Sequence, residues 1–282
     1  EEIAGADFND GKMHWSISAD HVLTISGTGE MPNYTYDVRA PWYSYQDKIE
    51  SIIVEKGISA LGDYAFFSCS KAVFIDIPDG ITTIPQSCFR DCSSLTSINL
   101  SDSIRDFERN AFSNCSQLQS ITIPEGVMEI SSSSLFSGCN SLKSIVLPST
   151  LKQLGNRYSV FPCFISNIYF NGTLKQWLNI SFEDSLPMQS ACSLYIDGEK
   201  LTNLTIPNGV TNIPEHAFEY VNLNRVTIPN SVTSIGKNAF YGSSVTTVRI
   251  ADSVTSVETN AFTMLGIPPS GTALLGTPEM IV

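Results

Sequence analysis

Basic residues are scarce in this sequence: 16 Lys and Arg stand against 28 Asp and Glu across 282 residues, for a formal net charge of −12. Phosphate binding draws most of its free energy from clustered Lys and Arg, so this balance argues against a general nucleic-acid surface. Long apolar runs are missing too. No stretch approaches the roughly 18–20 apolar residues of a membrane-spanning helix, because Ser, Thr, Asp or Pro interrupts each candidate. Histidine is limited to His14, His21 and His216, which suggests no convergent catalytic or metal cluster. The opening residues, EEIAGADF, include neither an initiator Met nor a basic segment before an apolar one. They read as a processed or trimmed start, with a removed export signal allowed.

What the chain has in abundance is repetition. Four of its seven cysteines, Cys69, Cys92, Cys115 and Cys139, recur at steps of 23, 23 and 24. In the same register stand KAVFIDIPDGITTIPQSCFRDCS from Lys71, SLTSINLSDSIRDFERNAFSNCS from Ser94 and QLQSITIPEGVMEISSSSLFSGCN from Gln117; a period of 22 returns from Asn203 onward. Phe66, Phe89, Phe112, Phe136, Phe218, Phe240 and Phe262 keep this phase, with one interruption between the two blocks. Each repeat is one coil of a solenoid.

Within a coil, Ile98 and Leu100, or Ile121 and Ile123, show the period-2 signature of a short strand with one buried face. Further apolar pairs follow at Ile81 and Ile84, Val127 and Ile130, Val232 and Ile235, after turns such as Pro78-Asp79-Gly80 and Pro124-Glu125-Gly126. Closing segments such as Asn110-Ala111-Phe112 are too short for a free-standing helix and predict a single helical or 3-10 turn. Small residues at Ala65, Cys88, Ala111, Ala217, Ala239 and Ala261 let adjacent coils approach. The expected fold is therefore an α/β solenoid of short strands and short closing turns. A single coil cannot bury its own apolar face, so its stability comes from coil-on-coil packing.

The organisation follows from the phase. Residues 1–50 predict an N-terminal cap with a small hairpin, whose arms are His14–Ile17 and His21–Ile25; the aromatic loop Pro41–Tyr45 covers the first coil or, alternatively, offers a sugar platform. Residues 51–262 form the solenoid, with an irregular insert at 155–201. There the strand phase persists at Ile168 and Phe170, Trp177 replaces a usual apolar residue, and Asp197-Gly198 makes a tight turn. Residues 263–282 read as a C-terminal cap using Leu265, Ile267, Leu274 and Leu275, or as a displaced tail.

The phased pattern LTSINLSDSIRDFERNAFSNCS, with WSISADHVLTISGTGEMPNY and APWYSYQDKIESIIVEKGISALGDYAF, resembles the bacterial BspA-like leucine-rich repeat surface family over about Trp15 to Phe262. The resemblance implies a curved leucine-rich repeat solenoid, secretion or cell-surface display, and adhesion to host or extracellular macromolecules. It implies neither a shared ligand nor a catalytic site. Departures occur at Ser101 and Ala251, where several coils have Pro, and at Val221 and Ser243, where the recurrent Cys is replaced.

Chemistry-bearing motifs are sparse. One Cys per coil suits a ladder of buried free thiols at Cys69, Cys92, Cys115 and Cys139 better than a metal site or a disulfide framework; Cys88 takes a small core position, and a Cys163–Cys192 pair stays open. No nucleophile elbow accompanies the many serines, and Gly27-Thr28-Gly29 lacks dinucleotide-loop spacing. Asp76, Asp79, Glu125 and Glu129 recur at coil edges as solvated carboxylates. No catalytic residue, metal ligand or cofactor is assigned.

The candidate ligand contacts lie between the buried residues of successive strands: Asp76, Asn99, Thr122, Val146, Tyr169, Thr205, Thr227 and Arg249. In comparable phases, they project onto one broad concave face suited to an extended protein or glycan. Tyr34, Tyr36, Trp42 and Trp177 leave room for glycan binding. The expected function is a non-enzymatic extracellular or cell-surface binding or adhesion module whose partner is an extracellular or host protein or glycan, with no nucleic acid and no membrane insertion. A structural spacer within a larger surface protein is the alternative, and a carbohydrate-active enzyme a remote third.

Overall fold

The computed structural model describes residues 1–155, 165–183, 191–263 and the backbone of 273–275. Each regular coil contributes two strands. The first is three or four residues long, as in Phe74–Asp76, Ser97–Asn99, Ser120–Thr122, Ser144–Leu147, Asn203–Thr205, Arg225–Ile228 and Thr247–Ile250. The second has only two residues, as in Thr83–Ile84, Asp106–Phe107, Gln153–Leu154 and Ser234–Ile235. Strands of neighbouring coils pair in parallel at equivalent positions: Ile75 lies opposite Ile98, Ile121 opposite Ile145, and Val226 opposite Val248. Equivalent pairing aligns the inward residue of every coil with the next, so one continuous apolar core runs along the stack. The result is a curved leucine-rich repeat solenoid.

The closing segments carry the second ladder. Phe66, Phe89, Phe112 and Phe136 are fully buried and stack at 5.6 Å between successive ring centroids. The stack resumes at Phe218–Phe240 and Phe240–Phe262, at 5.3 and 5.2 Å. Two residues before each of these Phe rings the backbone turns left-handed, with φ between 52° and 61° at Tyr64, Ser87, Asn110, Ser134, His216, Asn238 and Asn260. A left-handed residue stops helix propagation, and Asn tolerates the conformation better than most side chains. The expected helical turn is thereby realised as a chain of turns. Three-residue hydrogen bonds such as Cys92 N–H to the Phe89 carbonyl alternate with bonds to the next coil, such as Phe89 N–H to the Ala111 carbonyl. Among the described residues the only helices are a 3-10 turn, Tyr43–Tyr45, and a short α-helix, Leu174–Trp177.

At the N-terminus, the Met13–Ser18 and Val22–Gly27 strands form the expected antiparallel hairpin, extended outward by a strand at Glu2–Phe8. Val22–Gly27 then pairs in parallel with Ser51–Val54, which feeds the hairpin into the coil ladder. Trp42 is buried, stacks on Phe66 at 5.7 Å and donates its indole N–H to the Ala65 carbonyl at 2.8 Å. In regular coils that carbonyl position accepts the N–H of the preceding coil's Phe. Trp42 therefore supplies with a side chain the donor that an absent coil would supply with its backbone.

The interval after Leu154 repeats the device. Asn167–Phe170 pairs in parallel with Ser144–Leu147 on one side and Ser193–Ile196 on the other. The helix that follows starts at a capping box: Thr173 accepts the Gln176 N–H, and the Gln176 side chain accepts the Thr173 N–H at 2.8 Å. This helix seats Trp177 in the core against Phe170 and Phe182, each at 5.3 Å, and its indole N–H donates to the Ala217 carbonyl at 2.9 Å. Cys163, Leu265 and Ile267 lie outside the described residues, as do the side chains of Leu274 and Leu275, so the Cys163–Cys192 pairing and the C-terminal cap fall there too.

Candidate binding face

Alternation along the first strands turns Ile75 and Ile77 inward and Phe74 and Asp76 outward. The same parity holds in every coil, and the register brings the eight sequence-nominated residues together in three rows. Asp76 lies opposite Asn99; Thr122 opposite Val146 and Val146 opposite Tyr169; Thr205 opposite Thr227 and Thr227 opposite Arg249. The rows belong to three separate sheets, so Asn99 and Thr122 are not paired across a ladder. Three coil positions of the series were missed by sequence reasoning: Ile53, opposite Asp76; Tyr195, opposite Tyr169; and the backbone position of Leu275, opposite Arg249. Tyr195 carried a readable signal, because Leu194-Tyr195-Ile196 has the same phase as Ile168-Tyr169-Phe170.

The rows differ chemically. In the first, Asn99 donates to the Asp76 carboxylate at 2.6 Å, and both line an open groove of about 720 Å³ with Lys56, Asp79 and Asp102. In the second, the Tyr169 and Tyr195 rings stack at 4.4 Å with their planes 20° apart. Both are half-buried. The third row has two threonines and the exposed Arg249.

The aromatic residues nominated for glycan contact lie elsewhere. Tyr34, Trp42 and Trp177 are buried, which corrects that expectation: Trp42 stacks on Phe66, Tyr34 packs edge-on against Trp42, and Trp177 sits against Phe170 and Phe182. Burial pushes the Tyr34 hydroxyl up to about 12. Only Tyr36 of that group is exposed, and the Arg39 guanidinium covers its ring at 4.2 Å.

Two of the edge carboxylates accept hydrogen bonds from nearby serines. Glu125 accepts both the N–H and the hydroxyl of Ser149, and Glu129 accepts the Ser131 hydroxyl. The histidines are not brought together. His14 faces Asp7 at 2.8 Å, His21 faces Glu50 at 3.2 Å, and His216 faces Glu219 at 2.7 Å in the buried interior. Among the described residues no group of three or more His, Cys, Asp or Glu is placed to hold a metal ion.

Cys69, Cys92, Cys115 and Cys139 form the expected ladder of buried free thiols. Their arrangement contributes more than bulk: Cys92, Cys115 and Cys139 donate to the carbonyls of Phe66, Phe89 and Phe112 at 3.3, 3.2 and 3.0 Å. Burial pushes the Cys69, Cys88 and Cys92 thiols far above the usual thiol range and Cys192 up to about 12. Cys115 is raised first by its hydrogen bond with Cys139 and then by burial. Thiols so disfavoured as thiolates are poor nucleophiles, and they act as packing and hydrogen-bond donors.

The family model for the BspA type leucine-rich repeat region matches residues 38–161, 132–198 and 192–266. No curated protein matches the chain. Among solved structures, a leucine-rich repeat protein from Eubacterium ventriosum is 26% identical, with a TM-score of 0.54 over 90% of this chain and 68% of its own. A leucine rich cell surface protein from Faecalibacterium prausnitzii is 23% identical, with a TM-score of 0.42 over 92% of this chain and 87% of its own. A leucine-rich repeat protein from Bacteroides ovatus is 21% identical, with a TM-score of 0.48 over 91% and 66%.

Proposed function

The chain belongs to the BspA-type leucine-rich repeat family, and we propose that it is a non-enzymatic binding or adhesion module, secreted or held at a cell surface, that engages an extracellular macromolecule through the outward rows of its first strands. The observation that carries this reading is the shared register of those rows, which repeats side-chain positions at the spacing of paired strands, about 4.8 Å. A ligand that is itself extended can engage several such positions at once, and each contact made raises the effective concentration of the next. Placement outside the cytoplasm is part of the same proposal and rests on the family. The nominated contacts are Asp76, Asn99, Thr122, Val146, Tyr169, Thr205, Thr227 and Arg249.

The test is capture from arrayed extracellular proteins and glycans with the wild-type chain, followed by Asn99→Ala, Thr122→Ala, Tyr169→Ala and Arg249→Ala singly and together. Loss of the captured partner on combining substitutions supports the face. A folded fourfold variant that binds as well as wild type removes this face from consideration and moves the search to the aromatic cap, the insert or the convex side, whereas no captured partner at all favours the spacer reading.

A further inference from the structure

We infer that the middle row, Thr122–Val146–Tyr169–Tyr195, is a subsite for a neutral carbohydrate; the inference rests on the face reading above and adds the ligand class. The stacked tyrosines set the geometry. Strand side chains stand roughly perpendicular to the sheet, so two rings stacked along the row form a wall across it. The next neighbour of Tyr169 is Val146, whose side chain is much shorter, so the ring face turned away from Tyr195 overlooks a step floored by Val146 and Thr122. An aromatic wall beside a shallow floor suits the C–H face of a pyranose ring.

The polar groups point the same way. On the same parity, two residues earlier along each strand, run Ser120, Ser144 and Asn167. Their side chains make no hydrogen bond among the described residues, in contrast to Asn99, which is engaged by Asp76. Hydroxyls and an amide with unused capacity match a ligand whose recognition depends on hydroxyls.

Charge and backbone weigh against the competing classes at the tyrosine step. From Ser120 to Tyr195 neither row carries a charged side chain; the first on the Tyr169 row is Lys200, opposite Tyr195 and on the far side of the ring wall. The step beside Tyr169 itself therefore offers neither a cation for an anionic ligand nor a carboxylate for a cationic one. An extended peptide adding as a strand needs free backbone donors and acceptors. At Tyr169 that mode is closed, because Asn167–Phe170 is paired on both sides; the sheet edge lies at Ser120–Thr122, away from the tyrosines.

Affinity electrophoresis of the folded chain in gels holding mixed-linkage β-glucan, xylan, galactomannan or polygalacturonate decides the matter. Retardation is expected in at least one neutral polysaccharide, with Tyr169→Ala and Tyr195→Ala each weakening it up to about tenfold. Tyr169→Phe keeps the ring face and retains binding, Val146→Lys fills the step and abolishes it, and Lys71→Ala, at an exposed turn outside the binding rows, leaves it unchanged. Retardation only in polygalacturonate, no retardation in any gel, or binding indifferent to both Val146→Lys and Tyr169→Ala overturns the inference. If the protein ignores all four polysaccharides yet captures a protein partner that depends on Asn99, Thr122 or Arg249, the carbohydrate assignment falls and the binding face stands.

Discussion

Between Phe66 and Phe136 every coil brings the same pair inward, a Phe ring and, three residues on, a Cys thiol; between Asn167 and Trp177 neither recurs in phase. The two regions nevertheless satisfy the same demands. In the regular coils the Phe N–H bonds the next coil's closing carbonyl, and the thiol bonds the preceding Phe carbonyl. In the irregular stretch the Trp177 side chain fills the core and donates to the Ala217 carbonyl. What the solenoid conserves from coil to coil is thus a filled core with its buried carbonyls engaged; residue identity is free to change where another side chain does both. The outward residues are under neither demand, and there the regions diverge, from the mutually bonded Asp76 and Asn99 to the stacked Tyr169 and Tyr195.

The largest effects are expected where a ring is covered by coils on both sides. Phe112→Ala empties a site between Phe89 and Phe136 and is expected to cost about 3–5 kcal/mol, measured by urea denaturation. Phe262→Ala removes a half-buried ring whose described stacking partner is Phe240 alone, and is expected to cost clearly less. Equal losses would mean that stacking along the spine does not set the energetics.

Next in size stands the one closing turn with a buried acid among the described residues. His216 occupies the left-handed position that Asn holds at 110, 238 and 260, so His216→Asn preserves the backbone while stranding Glu219 in the interior. A loss of about 2–3 kcal/mol follows from an unpaired buried carboxylate. His216→Asn combined with Glu219→Gln is expected to recover part of it. An unchanged midpoint in the single variant would show that Glu219 finds another partner.

Trp177→Phe and Trp42→Phe compare the interval with the cap. Each keeps a ring but orphans a buried carbonyl, at Ala217 and Ala65 respectively, and each is expected to cost about 1–3 kcal/mol. Similar losses sharpen the view that both tryptophans stand in for a coil. A loss at Trp42 alone would break it.

Sequence reasoning reached the inward half of this molecule more fully than the outward half, for a physical reason. Burial against identical neighbours imposes the same size and polarity on every coil, so Phe66 to Phe262 and Cys69 to Cys139 announce their positions by period. The indole bonds of Trp42 and Trp177 have no period, because each occurs where a coil is replaced. The strand at Glu2–Phe8 escaped for a related reason: EIAGADF has mostly exposed residues and is held by backbone pairing to Met13–Ser18, which leaves no apolar alternation to read. The outward-facing series was half legible. Strand parity located its eight members, but only the structure showed that Tyr34, Trp42 and Trp177 are spent on the core while Tyr195 joins Tyr169 outside.

The smallest effects are expected on the outward rows, and their smallness is informative. Thr205→Ala, Thr227→Ala and Arg249→Ala remove side chains that make no hydrogen bond among the described residues, so each is expected to shift stability by less than about 0.5 kcal/mol. Asp76→Ala breaks the bond to Asn99 at an exposed site and is expected to cost no more than about 1 kcal/mol. If urea midpoints stay fixed across all four, these positions are free to be chosen for contact with a partner. A loss of several kcal/mol at Arg249 or Thr227 would instead tie the row to folding, and the difference between inward and outward residues would no longer separate stability from binding.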